Sequence, residues 1–265
     1  MKKLRGVFKC HGGKFYLSQW IISNFPKNYT QMTYIEGCAG AANILLNKQR
    51  SLVEIYNDAD PNIVSIFQEL TSDGAEDFLE EVKKTHYNEE TFKWAKVTSD
   101  KNCGEQALAE LVRRRFSRGG LGEAFAWSER LRGGKPGDVN AWNTYKELLP
   151  DIIERLRGVD VYCLPIHDLF VLFDAPNVLW YIDPPYLPST RRAKKAYAFE
   201  MTEEDHIELG KLLNNAKGKV CLSGYQSPLY TKLYKNWKMD CRPIKNHSGQ
   251  GEKKQTRIEC VWMNY

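Results

Sequence analysis

Short apolar runs recur along this chain, and four of them stop at or shortly before an acidic side chain. Met32-Thr33-Tyr34-Ile35 ends at Glu36, Leu52-Val53-Glu54-Ile55-Tyr56 reaches Asp58, Val161-Tyr162-Cys163-Leu164 reaches Asp168, and Val178-Leu179-Trp180-Tyr181-Ile182 ends at Asp183. Nearly continuous runs of this length are what strands buried on both faces need, and they mark parallel pairing. Between them, apolar positions fall at helical spacing over Phe15 to Phe25, Ala41 to Lys48, Pro61 to Leu70 and Glu203 to Leu213. Pro61 suits a first helical position, with Asp60 before it as the cap. Further strands are predicted at Lys219 to Ser223, Trp237 to Ile244 and Arg257 to Met263, the last two close enough to pair as an antiparallel hairpin. Alternating strands and helices predict an α/β fold on a doubly wound, mostly parallel sheet. Ligands on such sheets bind beyond the carboxyl ends of the strands, which is where the acidic residues fall.

The alternation breaks from about residue 72 to residue 158. That stretch has a mainly helical pattern and reads as an inserted module, leaving residues 1–71 and 159–265 to form the sheet-bearing domain. In its middle Arg113, Arg114, Arg115, Arg118, Arg130, Arg132 and Lys135 stand against only Glu123 and Glu129, with Phe116, Phe125 and Trp127 interleaved. Glycines beside Arg118 and Arg132 point to loops that present these side chains. Such a segment suits DNA, its arginines meeting phosphates or base edges. Arg191, Arg192, Lys194 and Lys195 form a second basic loop after the fourth run.

Composition narrows the picture without deciding it. A chain of 265 residues with 42% hydrophobic content buries a sizeable core. Its net charge of +5 is only mildly basic, which permits a polyanionic partner without requiring one. The seven cysteines form no C-x-x-C pair, and several lie inside strand-like runs. They are expected as buried thiols of a reducing compartment, neither disulfides nor metal ligands. The basic N-terminus is not followed by an apolar segment, and no run approaches the roughly 20 apolar residues of a membrane span. A soluble, cytoplasmic protein is expected, with no metal and no membrane partner.

The chemistry concentrates at two strand ends. Glu36-Gly37-Cys38-Ala39-Gly40-Ala41-Ala42 is a turn of small residues that lets a ligand approach the backbone at the predicted start of a helix. Asp58 lies 18 residues past Gly40, about the spacing at which a carboxylate meets the ribose of a nucleotide-like cofactor. Asp183-Pro184-Pro185-Tyr186 then offers a carboxylate, a carbonyl held by rigid prolines and an aromatic ring. That set suits a planar base with an exocyclic amine. The ring stacks on the base, while Asp183 and the Pro184 carbonyl accept the amine hydrogens. Stacking needs the ring of Tyr186, not its hydroxyl.

These motifs resemble the N6-adenine DNA methyltransferases of the Dam type. His11-Gly12-Gly13-Lys14 is similar to the family's N-terminal motif, residues 36 to 42 to its cofactor loop, Asn57-Asp58 to its ribose site and Asp183 to Tyr186 to its catalytic tetrapeptide. Leu222-Ser223-Gly224-Tyr225 and the closing Arg257 to Asn264 also look like family segments, and the motifs keep the family's order around the insert. The resemblance implies a Rossmann-like class I methyltransferase fold and S-adenosylmethionine as cofactor. It places Cys10, Lys14, Glu36, Gly37, Cys38, Ala39, Gly40, Asp58, Asp168 and Asp183 at the cofactor, and an insert that reads double-stranded DNA. A cognate restriction nuclease is a partner such enzymes can have. Gly37 and Cys38 depart from the usual proline and phenylalanine, and Cys10 stands where an aromatic is common. Cytosine-C5 methylation is excluded, because the chain has no Pro-Cys nucleophile motif. N4-cytosine or RNA amine methylation, and a degenerate DNA-binding module, are the alternatives.

Overall fold

The strands run in the order β5-β2-β1-β6-β7-β9-β8 in one seven-stranded sheet of the computed structural model. The structure describes residues 3–10, 12–99, 105–190, 199–245 and 256–265. Along the chain come α1 (Ser18–Ser23), β1 (Thr33–Glu36), β2 (Val53–Asn57) and α2 (Pro61–Thr71). The insert follows as α3 (Ala75–Lys84), α4 (Glu89–Thr98), α5 (Gln106–Phe116), a small hairpin of β3 (Leu131–Arg132) and β4 (Lys135–Pro136), and α6 (Gly137–Leu156). The chain then returns to the sheet as β5 (Val159–Tyr162), α7 (Ile166–Phe173), β6 (Val178–Ile182), α8 (Glu203–Asn214), β7 (Lys219–Tyr225), α9 (Pro228–Leu233), β8 (Lys238–Lys245) and β9 (Thr256–Met263).

The first five strands of the order pair in parallel. β9 runs antiparallel to both β7 and β8. The winding reverses between β1 and β6, so the crevice beyond their carboxyl ends is the place for a ligand. Side chains alternate across the sheet as strand geometry demands. Tyr34, Tyr56 and Tyr181 face an apolar cluster shared with α2 and the insert's helices, and Ile35, Ile55, Trp180 and Ile182 face one built with α7, α8 and α9. Helix starts follow local chemistry: Asp60 caps α2 by accepting from Asn62 N at 3.0 Å, with Pro61 next. Thr202 and Asp205 cap α8 reciprocally.

Three expectations are corrected here. Residues 41 to 48 do not form a helix but a turn with a short 3-10 segment at Leu45–Asn47, and Ala42 is left-handed at φ 55°. Tertiary partners claim the local groups: Glu36 accepts from Leu45 N at 2.7 Å, and the Asn47 amide donates to Leu4 O at 2.7 Å. The argument from a helix N-terminus therefore does not apply to this loop. Asp168 is not at a strand end, because β5 stops at Tyr162 and Asp168 lies in the first turn of α7. Finally, Cys241 and Cys260 are joined as a disulfide. The β8–β9 register sets them directly opposite one another, a juxtaposition that a sequence separation of 19 conceals.

Candidate active site

The end of β6 and the N-terminal segment meet at one buried ion pair. Lys14 Nζ donates to Asp183 Oδ2 at 2.8 Å and to Gly12 O at 2.9 Å, and it lies 4.8 Å from the centre of the Tyr186 ring. Asp183 Oδ1 is buried and has no hydrogen-bond partner among the described residues. An orphaned carboxylate oxygen costs free energy, and a ligand hydrogen would relieve that cost. Asp183 and Pro185 line a cavity of about 530 Å³, within the roughly 300–1,000 Å³ of small-molecule sites.

The same cavity is walled by Lys14, Glu36, the chain from Gly37 to Gly40, and Asp58. Gly37 is tightly placed: a Cβ there would come within 2.7 Å of Ile166 Cδ1 and Ile182 Cδ1. Gly40 is left-handed, and nothing stands within 4 Å of where its side chain would be, so a ligand has backbone to approach. Asp58 closes this loop, accepting from Gly40 N at 2.9 Å and from Asp60 N at 3.0 Å. Burial pushes its carboxyl up to about 6, against the pull of those backbone donors. Burial likewise lifts Glu36 to about 7, although the Tyr34 hydroxyl and Leu45 N bond its carboxylate. Both groups stand ready to ionise beside a cationic ligand. Cys10 and Cys38 also line the cavity as free thiols whose pKa values burial raises. A nucleoside with a charged tail fits this donor set: carboxylates for hydroxyls and cationic groups, open backbone, and apolar walls at Leu164 and Ile166.

Several residues are placed otherwise than expected. Asp168 is solvent-facing, its side chain 60% exposed, and does not line the cavity, whereas its neighbour His167 does. Tyr186 lies outside the lining, only 6% exposed, and its hydroxyl donates to Glu259 of β9. The hydroxyl thus has a partner that ring stacking alone did not anticipate. The arginine run is internal: Arg113 and Arg114 both pair with the buried Glu110 at 2.6 Å, and Arg114 reaches Asp60 at 3.2 Å. Arg115 donates to the carbonyls of Gly6 and Val7 and lies 3.6 Å over the Tyr145 ring. These three tie α5 to the core, and Arg114 also lines the cavity. Glu110 is buried on the otherwise apolar inner face of this helix.

Arg118, Arg130 and Lys135 are exposed, beside Trp127 at 52% exposure. The β3–β4 hairpin turns through Gly133 and Gly134, both left-handed, the pattern a two-residue hairpin requires. Arg132 is on that hairpin, and Arg191, Arg192, Lys194 and Lys195 lie outside the described residues. Sequence reasoning missed Glu259, which no spacing marks, and the structural work of Asn57. The Asn57 amide donates to Gly37 O at 2.9 Å and Leu164 O at 3.0 Å, joining two loops of the site.

A family model described as D12 class N6 adenine-specific DNA methyltransferase matches residues 11–118 and 136–248. The chain belongs to this family. It is a DNA adenine methyltransferase with S-adenosylmethionine as methyl donor. Among solved structures the chain is similar to the rRNA methyltransferase aviRa from Streptomyces viridochromogenes. The identity is 14% and the TM-score 0.41, over 96% of this chain and 86% of that one, too slight a likeness to argue from. No curated protein sequence matches. No helix among the described residues is long and apolar enough to cross a membrane, and none of their His, Cys, Asp and Glu groups is arranged to hold a metal.

Proposed function

We propose that this methyltransferase takes a specific adenine out of double-stranded DNA and presents its N6 amine to Asp183. The half-satisfied Asp183 carboxylate carries the reading: Lys14 fixes Oδ2, while Oδ1 has no partner among the described residues. Adenine N6 is a weak nucleophile because its lone pair is delocalised into the ring. Acceptance of one amine hydrogen at Asp183 Oδ1 and the other at the Pro184 carbonyl favours a pyramidal nitrogen with its lone pair free. S-adenosylmethionine supplies an electrophilic methyl group on its sulfonium. When bound, it would be held by Asp58 at its ribose, with the Gly37–Gly40 backbone beside it and Glu36 favouring its positive charge. The work is positioning and preorganised electrostatics, with no covalent enzyme intermediate. A base within a duplex cannot reach the cavity, so it must be flipped. Stacking on Tyr186 then requires its covered ring to open to the base.

Residues 72–158 act as the target-recognition module on a catalytic domain of residues 1–71 and 159–265. Exposed Arg118, Arg130 and Lys135 around Trp127 are the DNA-facing set, with Arg132 and the loop of Arg191, Arg192, Lys194 and Lys195. The match to the family model is interrupted over residues 119–135, the stretch that carries Trp127 and the hairpin. Methylation of this kind serves restriction–modification in the cytoplasm, where it blocks a cognate nuclease at the same site. Expression in a methylation-free host, with modified bases read by single-molecule sequencing, tests the whole reading. N6-methyladenine at one recurrent sequence is expected with the wild type and none with Asp183→Ala. Methylation that survives this substitution would refute the role of Asp183.

A further inference from the structure

A second carboxylate stands behind the catalytic tetrapeptide. Glu259, on the antiparallel strand β9, is 2% exposed. Its Oε1 accepts the hydroxyl of Tyr186 and lies 3.9 Å from Lys14 Nζ, the group that holds Asp183. One buried cation therefore faces two carboxylates, and the side chain of Lys14 is only 6% exposed. Burying a second acid beside the first is costly, because desolvation and like charge both oppose it. A purely structural role would be met as well by a neutral side chain.

We propose that Glu259 is a positioning residue for methyl transfer, which anchors the hydroxyl of Tyr186 and shares the charge of Lys14 with Asp183. The proposal rests on Asp183 being the amine acceptor. Without Glu259, Lys14 would belong to Asp183 alone and would draw electron density from the oxygen that must attract an amine hydrogen. With it, Asp183 keeps its accepting strength. Burial lifts the Glu259 carboxyl to about 7, with Lys14 opposing that rise, so the sharing grows as pH passes that value. The bond to Tyr186 fixes the ring relative to Asp183 at the same time, so base stacking and amine contact are set by one side chain. The Tyr225 ring, opposite Glu259 in the β7–β9 register, packs edge-on with Tyr186 at 4.7 Å and completes the support.

The test uses the full chain with unmethylated genomic DNA and labelled S-adenosylmethionine. Glu259→Gln, which keeps shape and loses charge, should lower kcat about ten- to hundredfold, the scale of a lost charge-assisted hydrogen bond. Cofactor KM and DNA affinity should stay within about twofold, since only the reacting geometry is disturbed. Tyr186→Phe, which removes the bond that Glu259→Gln weakens from charge-assisted to neutral, should lower kcat in the same way, and the double variant should be no slower than the slower single variant. Unchanged kcat in Glu259→Gln, or losses that multiply in the double variant, would overturn the proposal. If Glu259→Gln does not fold, Tyr186→Phe decides alone, and full activity there is the overturning result. Asp183→Ala assayed in parallel separates the two levels. If it stays active, the acceptor reading fails. If it is inactive while Glu259→Gln is not, only the role of Glu259 fails.

Discussion

Two carboxylates at strands either side of β1, Glu54 buried and Asp183 half-buried, are treated in opposite ways. Glu54 on β2 is saturated: Lys48 and Ser51 N donate to Oε1, and Arg155 donates to Oε2 at 2.6 Å and Oε1 at 2.9 Å. Burial pushes its carboxyl up, but Arg155 and Lys48 more than offset this and hold it below the ordinary value. Asp183 beyond β6 has one oxygen held by Lys14 and the other with no partner among the described residues. A polar group with every valence filled holds a structure together, whereas one left open inside a cavity waits for a ligand. The arginines of the insert divide in the same way, with Arg113 to Arg115 enclosed by protein partners and Arg118 and Arg130 facing solvent.

The contrast breaks if the two acids exchange roles under mutation. Asp183→Ala should lower turnover by about 10²–10³, the cost of removing one preorganised group, and cost less stability than the loss of Arg155, because Glu259 stays near Lys14. Arg155→Ala should do the reverse, destabilising by about 3–5 kcal/mol because it strips a buried pair, while folded protein keeps its turnover per molecule. Calorimetry and steady-state assays on both variants decide this.

Asp58 sharpens the contrast at intermediate size, because it is both bonded internally and exposed to the cavity. Asp58→Ala should weaken S-adenosylmethionine binding roughly ten- to hundredfold and DNA binding little. In the wild type, cofactor affinity should rise with pH through about 6, as Asp58 gains its charge. Titration calorimetry at pH 5 to 8 measures both, and a flat profile would take the ribose contact away from Asp58.

Much of this was legible in the sequence, for identifiable reasons. Strand runs and the Asp60-Pro61 cap are local patterns, so the sheet, its C-terminal hairpin and the start of α2 followed from them. Asp183, Asp58 and the small-residue loop were marked by their positions at strand ends. The loop after β1 was misread as a helix because Glu36 and Asn47 take backbone partners that helical spacing cannot reveal. The internal pairing of the arginine run was not legible, because its partner Glu110 lies one turn earlier and is buried, and charge alone does not report burial. Glu259 stayed hidden because its importance comes from Lys14 and Tyr186, which the fold brings in from distant parts of the chain.

The arginines give the next smaller effect. Arg130→Ala or Arg118→Ala should weaken DNA binding by about 1–3 kcal/mol at one base pair if the side chain reads a base. If it meets a phosphate, the salt slope should instead fall by about one for all sequences. Arg115→Ala should change neither and lower stability. Titrations of cognate and random duplexes at two salt concentrations separate these cases. An altered salt slope in Arg115→Ala would contradict its enclosed position.

The smallest effect is the pH dependence of the ligand-free protein, and its sign follows from the raised acids. Burial lifts Glu36 from 4.5 to about 7 and Asp58 from 3.8 to about 6. The unfolded chain ionises these groups first, so the folded state binds more protons between the two values and stability falls as pH rises. Their contribution is therefore present below about 4 and lost by about pH 7. Each tenfold difference in proton affinity is worth about 1.36 kcal/mol, so a loss of order 1 kcal/mol is expected after relaxation of the site. S-adenosylmethionine carries positive charge and favours the ionised carboxylates, so it should stabilise more at pH 8 than at pH 5. Thermal unfolding with and without cofactor measures both trends, and Glu36→Gln should flatten the ligand-free slope. A slope that rises through this window in the wild type and is untouched by Glu36→Gln would show that these acids are already ionised in the empty site.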